Sequence, residues 1–191
     1  MNINNVKYIK SIVSLRNRPD PILPEIVIIG RSNVGKSSLI NTIFNQKKLA
    51  KISSTPGKTR VINYFLVDNL LYFIDLPGYG FANISKSQFK EWGNMIERFL
   101  RYNKHIKLAL LLIDCRHNLM ETDRLMINWL RSYRIPFIII MTKRDKLSNN
   151  QFNNQYKNLY NLLPDIEIIP FSARTAEGRE DIIRIIKGNT D

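Results

Sequence analysis

The sequence predicts an α/β domain in which a mostly parallel sheet carries helices on both faces. Three observations lead there. Near-continuous aliphatic runs at residues 26–29, 108–113 and 137–141 are what strands covered on both faces require. Stretches with helical spacing of apolar residues separate them, at intervals that suit right-handed strand–helix–strand crossovers. The third is Gly30-Arg31-Ser32-Asn33-Val34-Gly35-Lys36-Ser37, a G-x-x-x-x-G-K-[ST] pattern placed where a strand gives way to a helix.

The elements follow in chain order. Residues 1–22 read as an N-terminal arm and residues 23–191 as a single domain. The arm holds an apolar-alternating piece at 6–13, then Pro19, Pro21 and, just beyond it, Pro24, which forbid a helix and make it a lead into the first strand. After the strand at 26–29 comes a helix at 38–44 and a polar loop at 51–60. Residues 61–67 and 70–75 are strands joined by Asp68-Asn69, a hairpin signal that makes them antiparallel neighbours. Leu76 to Gly80 interrupts regular structure. Lys86–Tyr102 resumes a helix with Phe89, Trp92, Ile96, Phe99 and Leu100 along one side. Strands at 108–114, 137–142 and 166–171 then alternate with helices at 122–132, 148–163 and 180–186.

Composition narrows the class of function. Among 191 residues, Lys and Arg outnumber Asp and Glu by 29 to 16, for a net charge of +13, more than a solvated surface needs. A polyanion is the natural partner. RNA and an anionic membrane both carry the charge, but no segment is a basic amphipathic helix with an aromatic apolar face. A bias of composition toward Lys and Asn would raise the charge with no partner at all. No apolar run approaches membrane-spanning length, and the polar start lacks the apolar region of a secretory signal, so the expectation is a cytoplasmic protein without membrane insertion. The single cysteine, Cys115, reads as a small core residue.

In a parallel sheet, ligands bind at the carboxyl ends of the strands, so the loops there carry the chemistry. In the Gly30 to Ser37 loop the glycines permit a tight turn that points successive N–H groups inward, and the helix behind it adds its positive end. Lys36 would reach the β- and γ-phosphates of a nucleotide, and the Ser37 hydroxyl would ligate Mg²⁺. Asp75-Leu76-Pro77-Gly78 offers a carboxylate to Mg²⁺ through water and an N–H to a γ-phosphate. Thr142-Lys143-Arg144-Asp145 ends a buried strand. There Asp145 can accept from the N1–H and 2-amino groups of guanine, whereas adenine presents an acceptor at N1 and no 2-amino group. Lys143 would lay its stem along the base. With Thr142 where G domains at large have Asn, part of the tie between this segment and the phosphate loop is expected to be lost. Ser172-Ala173 can present an N–H to the guanine O6. In the polar loop a threonine, Thr59 rather than Thr55, would join Ser37 on Mg²⁺.

Taken together, GRSNVGKS, STPGKTR, DLPGYG, TKRD and SA resemble the translation-factor-related branch of P-loop GTPases and, within it, the EngB group of ribosome-biogenesis GTP-binding proteins. The resemblance runs from about Leu23 to the last helix. It is carried also by Pro24-Glu25-Ile26, Ile62-Asn63, Asp114-Cys115-Arg116-His117 with Asp123 beyond, and Trp92 with Phe99-Leu100. In that group TKxD replaces NKxD. The resemblance implies a Ras-like, six-stranded sheet with one antiparallel edge strand and a monomer that binds GTP or GDP with Mg²⁺. It implies Gly57, Lys58, Thr59, Arg60 and Val61 as the first switch, Asp75 to Gly78 as the second, Thr142 to Asp145 as the base reader and Phe171, Ser172 and Ala173 as the last nucleotide contact. It further implies a role in assembling the large ribosomal subunit, tied in the group to cell division and septation.

Tyr79 stands where many GTPases carry a water-orienting glutamine, so intrinsic hydrolysis should be slow, with transition-state contacts left to Lys36, Thr59 and Gly78. Asn33 matches an asparagine that helps place K⁺ in potassium-activated relatives. His117 reads as a structural or loop-capping residue and His105 as an exposed loop residue. Basic residues gather at Lys47, Lys48, Lys51, Lys58 and Arg60 beside the first switch, and at Arg98, Arg101, Lys104 and Lys107. A GTP-gated RNA-binding module that does not need hydrolysis is the alternative reading.

Overall fold

The computed structural model describes residues 5–46, 48–50, 61–79 and 86–189, without the side chains of residues 86, 88 and 89. Within them lie seven strands: β1 Val6–Ile12, β2 Glu25–Gly30, β3 Ile62–Val67, β4 Leu71–Asp75, β5 Ile106–Asp114, β6 Phe137–Thr142 and β7 Ile168–Pro170. The helices are α1 Lys36–Ile43, α2 Lys86–Tyr102, α3 Glu121–Ser132, α4 Asn149–Leu162 and α5 Arg179–Gly188. All seven strands form one sheet in the order β1-β3-β4-β2-β5-β6-β7.

The expected sheet of six strands is therefore one strand short. The arm contributes β1, which pairs antiparallel with β3 from Val6 opposite Val67 to Ile12 opposite Ile62. Only the two ends of β1 are buried, while the Tyr8 ring meets Phe65 edge-on at 5.8 Å. The prolines that argue against a helix all follow this strand. β3 is antiparallel to both of its neighbours, and β4, β2, β5, β6 and β7 run parallel to one another. The β3–β4 turn is as the dipeptide requires, with Asp68 and Asn69 both left-handed at φ 50° and 58°.

Side chains alternate across the sheet into two cores. Val27, Ile29, Tyr72, Ile74, Ala109, Leu111 and Ile139 face α2, α3 and α4, meeting Trp92, Ile96, Phe99, Met126, Leu130 and Phe152. Ile26, Ile28, Phe73, Leu110, Leu112 and Ile140 face α1 and α5, meeting Leu39, Ile40, Ile43, Ile182 and Ile186. Burial on both faces is what makes the central strands read as unbroken aliphatic runs. It also fixes the carboxyl ends of β2, β4, β5 and β6 side by side, with their loops converging at one end of the sheet.

Candidate functional site

The loop between β2 and α1 is shaped by three residues. Gly30 lies so close to the next strand that a Cβ there would stand 2.8 Å from Val34 Cγ1 and 3.0 Å from the Leu112 carbonyl oxygen. Asn33 and Gly35 are left-handed, at φ 61° and 112°. These turns bring the loop round to the amino end of α1, whose N–H groups and dipole favour an anion. Lys36 curls back over the loop, its Nζ donating to the carbonyls of Gly30 at 3.1 Å and Arg31 at 3.3 Å. Burial pushes this ammonium below the usual lysine range, opposed by Asp75.

Asp75 ends β4 facing Lys36. Burial raises its carboxyl above the usual range, with Lys36 and a hydrogen bond from Asn63 pulling the other way, and Oδ1 is buried without a hydrogen-bond partner. A buried carboxylate oxygen left open in this way suits a hard cation that keeps part of its water. The following segment closes on the phosphate loop. Leu76 N–H donates to Ile28 O, Trp92 Nε1 donates to Pro77 O at 3.1 Å, and Ser32 N–H donates to Tyr79 O at 2.8 Å. Gly78 is so tightly seated that an added Cβ would lie 2.7 Å from Lys36 Nζ and 3.0 Å from both Ser32 N and Ser32 Oγ.

At the end of β6, Thr142 corrects an expectation. Its hydroxyl donates to Val34 O at 2.7 Å, so the tie to the phosphate loop that the missing asparagine was expected to weaken is made by threonine instead. Lys143 is left-handed and reaches the same loop, with Nζ donating to Asn33 O at 2.7 Å and pairing with Asp114 at 2.9 Å. Arg144 turns the other way. Its guanidinium lies 4.5 Å over the Phe152 ring and donates to Leu147 O and Asn149, so its side chain fastens α4 rather than facing the loop. Asp145 receives a 2.9 Å bond from the Ser172 hydroxyl. Burial raises its carboxyl, but Ser172, a backbone N–H and nearby Lys146 and Arg174 outweigh this and hold it below the usual range. It is ionised at neutral pH.

Ser172 is fully buried and its oxygen also accepts from the N–H groups of Arg174 and Thr175. Phe171 is buried in the core and offers only its backbone, while Ala173 is exposed beside the loop. Thus Gly30 to Ser37, Asp75 to Gly78, Thr142, Lys143, Asp145, Ser172 and Ala173 are brought to one end of the sheet. Val61 lies just before β3, and Gly57, Lys58, Thr59 and Arg60 lie outside the described residues.

Asp114 was not singled out from the sequence as a site residue. It accepts Arg116 at 2.9 and 2.7 Å as well as Lys143, and although burial opposes it, these partners hold its carboxyl well below the usual range. The signal was a carboxylate at the carboxyl end of a buried strand next to the one bearing TKRD. The Tyr79 side chain was expected where a glutamine would meet water. It is instead 1% exposed, turned into the core against Trp92, its hydroxyl donating to Asp123 at 2.8 Å. Cys115 is buried as expected, its thiol pushed up to about 11 by desolvation first. His117 is exposed, with only its backbone N–H engaged, to Asp114 O.

Comparison with known proteins agrees with this geometry. Residues 25–143 match a family model described as 50S ribosome-binding GTPase. The chain is 44% identical to a probable GTP-binding protein EngB of Clostridium kluyveri, covering 100% of this chain and 98% of that one. It is 44% identical to the protein of the same name from Prosthecochloris aestuarii, with 100% of both covered. Among solved structures, a probable GTP-binding protein EngB superposes with a TM-score of 0.72 at 26% identity, covering 87% of this chain and 98% of that one. Era, solved with MgGDPNP and a 16S ribosomal RNA fragment, shares the fold with a TM-score of 0.69 at 23% identity, over 88% of this chain and 57% of its own.

Proposed function

The chain belongs to the EngB family of P-loop GTP-binding proteins, and from that premise we propose that it is a slow, Mg²⁺-dependent GTPase that acts as a nucleotide-gated switch on the large ribosomal subunit or its precursor. The observation that carries the nucleotide part is the convergence of the Lys36 loop, the half-buried and ionised Asp145 and the Thr142 bond to Val34 at one end of the sheet. Asp145 selects guanine, because any base without the two donors leaves a shielded carboxylate unpaired. Ser37 would hold Mg²⁺ directly and Asp75 through water, and Thr59 would complete the set. The ion, when bound, neutralises charge on the phosphates.

Slow turnover is supported by Tyr79, whose side chain is turned away from the Lys36 loop and leaves no water-orienting amide at that position. Acceleration comes from a partner or from K⁺ beside Asn33. The ribosomal role is supported by the family description and by the net charge of +13. Arg98, Arg101, Lys104 and Lys107 are exposed at the end of α2 and the start of β5, presenting cations to RNA phosphates at the end of the sheet away from the phosphate loop. Lys48 is also exposed; Lys47, Lys51, Lys58 and Arg60 lie outside the described residues. The family's link to cell division and septation is part of the same proposal, and the protein is cytoplasmic and monomeric in this reading.

The test is co-sedimentation with purified ribosomal subunits in a non-hydrolysable GTP analogue or GDP, at low and moderate salt. Pelleting with the large subunit in the GTP-like state alone supports the proposal. Equal pelleting in both states, lost together as salt rises, would mean nonspecific RNA binding through charge.

A further inference from the structure

Tyr79 and Asp123 lie 44 residues apart in sequence and meet behind the phosphate loop, where both are almost fully buried at 1% and 2% exposure. Asp123 sits in the first turn of α3 and uses its two oxygens separately. Oδ2 accepts the Met120 N–H at 3.1 Å and caps the helix, which leaves Oδ1 for the Tyr79 hydroxyl at 2.8 Å. The tyrosine ring lies 5.7 Å from Trp92, which itself holds Pro77 O. Side chain and backbone of Tyr79 are therefore tied at opposite ends. The hydroxyl is bound to α3, and the carbonyl is bound to Ser32 N–H, forming a one-residue bridge with Arg31.

This clamp has a steric consequence. A third phosphate needs oxygens within hydrogen-bonding reach of the Lys36 ammonium. That space is filled by Gly78, packed so close to Lys36 Nζ, Ser32 N and Ser32 Oγ that not even a methyl group can be added. The Ser32 hydroxyl is buried there without a hydrogen-bond partner, and the Ser32 N–H is already spent on Tyr79 O.

We propose that Asp123 is a positioning residue for nucleotide discrimination: by binding the Tyr79 hydroxyl it parks the Gly78–Tyr79 peptide on the phosphate loop, which admits a nucleoside diphosphate and sets a cost on the third phosphate. The inference rests on the reading that a guanine nucleotide occupies the Lys36 loop. Binding of the triphosphate withdraws Gly78 and frees Ser32 N–H, and the Tyr79–Asp123 bond resists that movement. The residue after D-x-x-G thus acts here as an anchor in the core and sets the ratio of GTP to GDP affinity.

The test compares affinities for GDP and for β,γ-imido-GTP by titration calorimetry with Mg²⁺ present, in the full chain and in two variants. Tyr79→Phe removes the hydroxyl with no change of ring volume. Asp123→Ala removes the acceptor of the Tyr79 hydroxyl together with the Met120 cap, so Tyr79→Phe is the variant that isolates the hydroxyl. Losing a hydrogen bond to a charged acceptor should raise the ratio of analogue to GDP affinity by about tenfold in each variant. Trp92 emission, which reports the Tyr79 contact, should shift in the unliganded variants toward the analogue-bound spectrum. A ratio unchanged in both variants, or both nucleotides weakened in parallel, overturns the inference while leaving the nucleotide site intact. Failure of the unmutated chain to bind either guanine nucleotide overturns the site reading itself, and this inference with it.

Discussion

Replacing Thr142 by valine removes one hydroxyl and almost nothing else. The residue is 2% exposed, and its Oγ1 donates over 2.7 Å to Val34 O in the middle of the phosphate loop. Valine has the same branching and nearly the same volume, so β6 keeps its packing while a shielded carbonyl loses its donor. Such a loss costs about 1–3 kcal/mol. In a domain of this size that lowers the melting temperature by roughly 2–4 °C per kcal/mol. The bond joins the proposed base-reading segment to the phosphate loop, so in that reading part of the loss falls on binding. About 1 kcal/mol of lost preorganisation weakens GDP by roughly fivefold. Thermal denaturation and GDP titration on Thr142→Val check both numbers, and Thr142→Asn, whose amide can reach the same carbonyl, should recover affinity. Unchanged melting and affinity in Thr142→Val would refute the reasoning, as would equal losses in valine and asparagine variants.

Asp145→Asn should weaken GTP by about a hundredfold, because its amide can accept one guanine donor but opposes the other, while ATP binding stays negligible; competition titration reads both. Chelating Mg²⁺ with EDTA should speed nucleotide release several-fold in a dissociation assay, and Asp75→Ala should reduce that sensitivity. Asp114 is held below the usual carboxylate range by Arg116 and Lys143, against the effect of burial. Its folded state binds the proton less readily than its unfolded state, so its contribution is complete above about pH 4 and is lost as pH falls through the depressed value. Urea unfolding should therefore show Asp114→Asn well below the unmodified chain at neutral pH and converging with it in acid; a gap constant with pH would contradict this. GTP turnover should be faster in KCl than in NaCl of equal strength, and equal rates would remove K⁺ from the account.

Much of the site could be read from local signals. Gly30, Gly35, Lys36 and Ser37 are specified by what a tight anion-binding turn needs, and Asp68-Asn69 by what a two-residue hairpin needs. The buried strands announce themselves as aliphatic runs. β1 did not, because it lies at the sheet edge with only Val6 and Ile12 buried at its ends and exposed lysines between them. The remaining gaps are contacts between distant residues. Thr142 looked like a weakened asparagine because only geometry shows its hydroxyl within reach of Val34 O, 108 residues away. Tyr79 looked like a substitute at a catalytic position because nothing local points it toward Asp123. Arg144 looked like a nucleotide contact by adjacency to Lys143 and Asp145, yet the turn after β6 sends alternate side chains to opposite sides, and Arg144 stacks on Phe152.

The most direct measurement of the switch is single-turnover GTP hydrolysis by the purified chain, alone and with large ribosomal subunits. A slow rate alone that rises severalfold or more with the large subunit, and not with the small one, is the predicted result. A rate that is fast in isolation, or one indifferent to either subunit, would contradict the account.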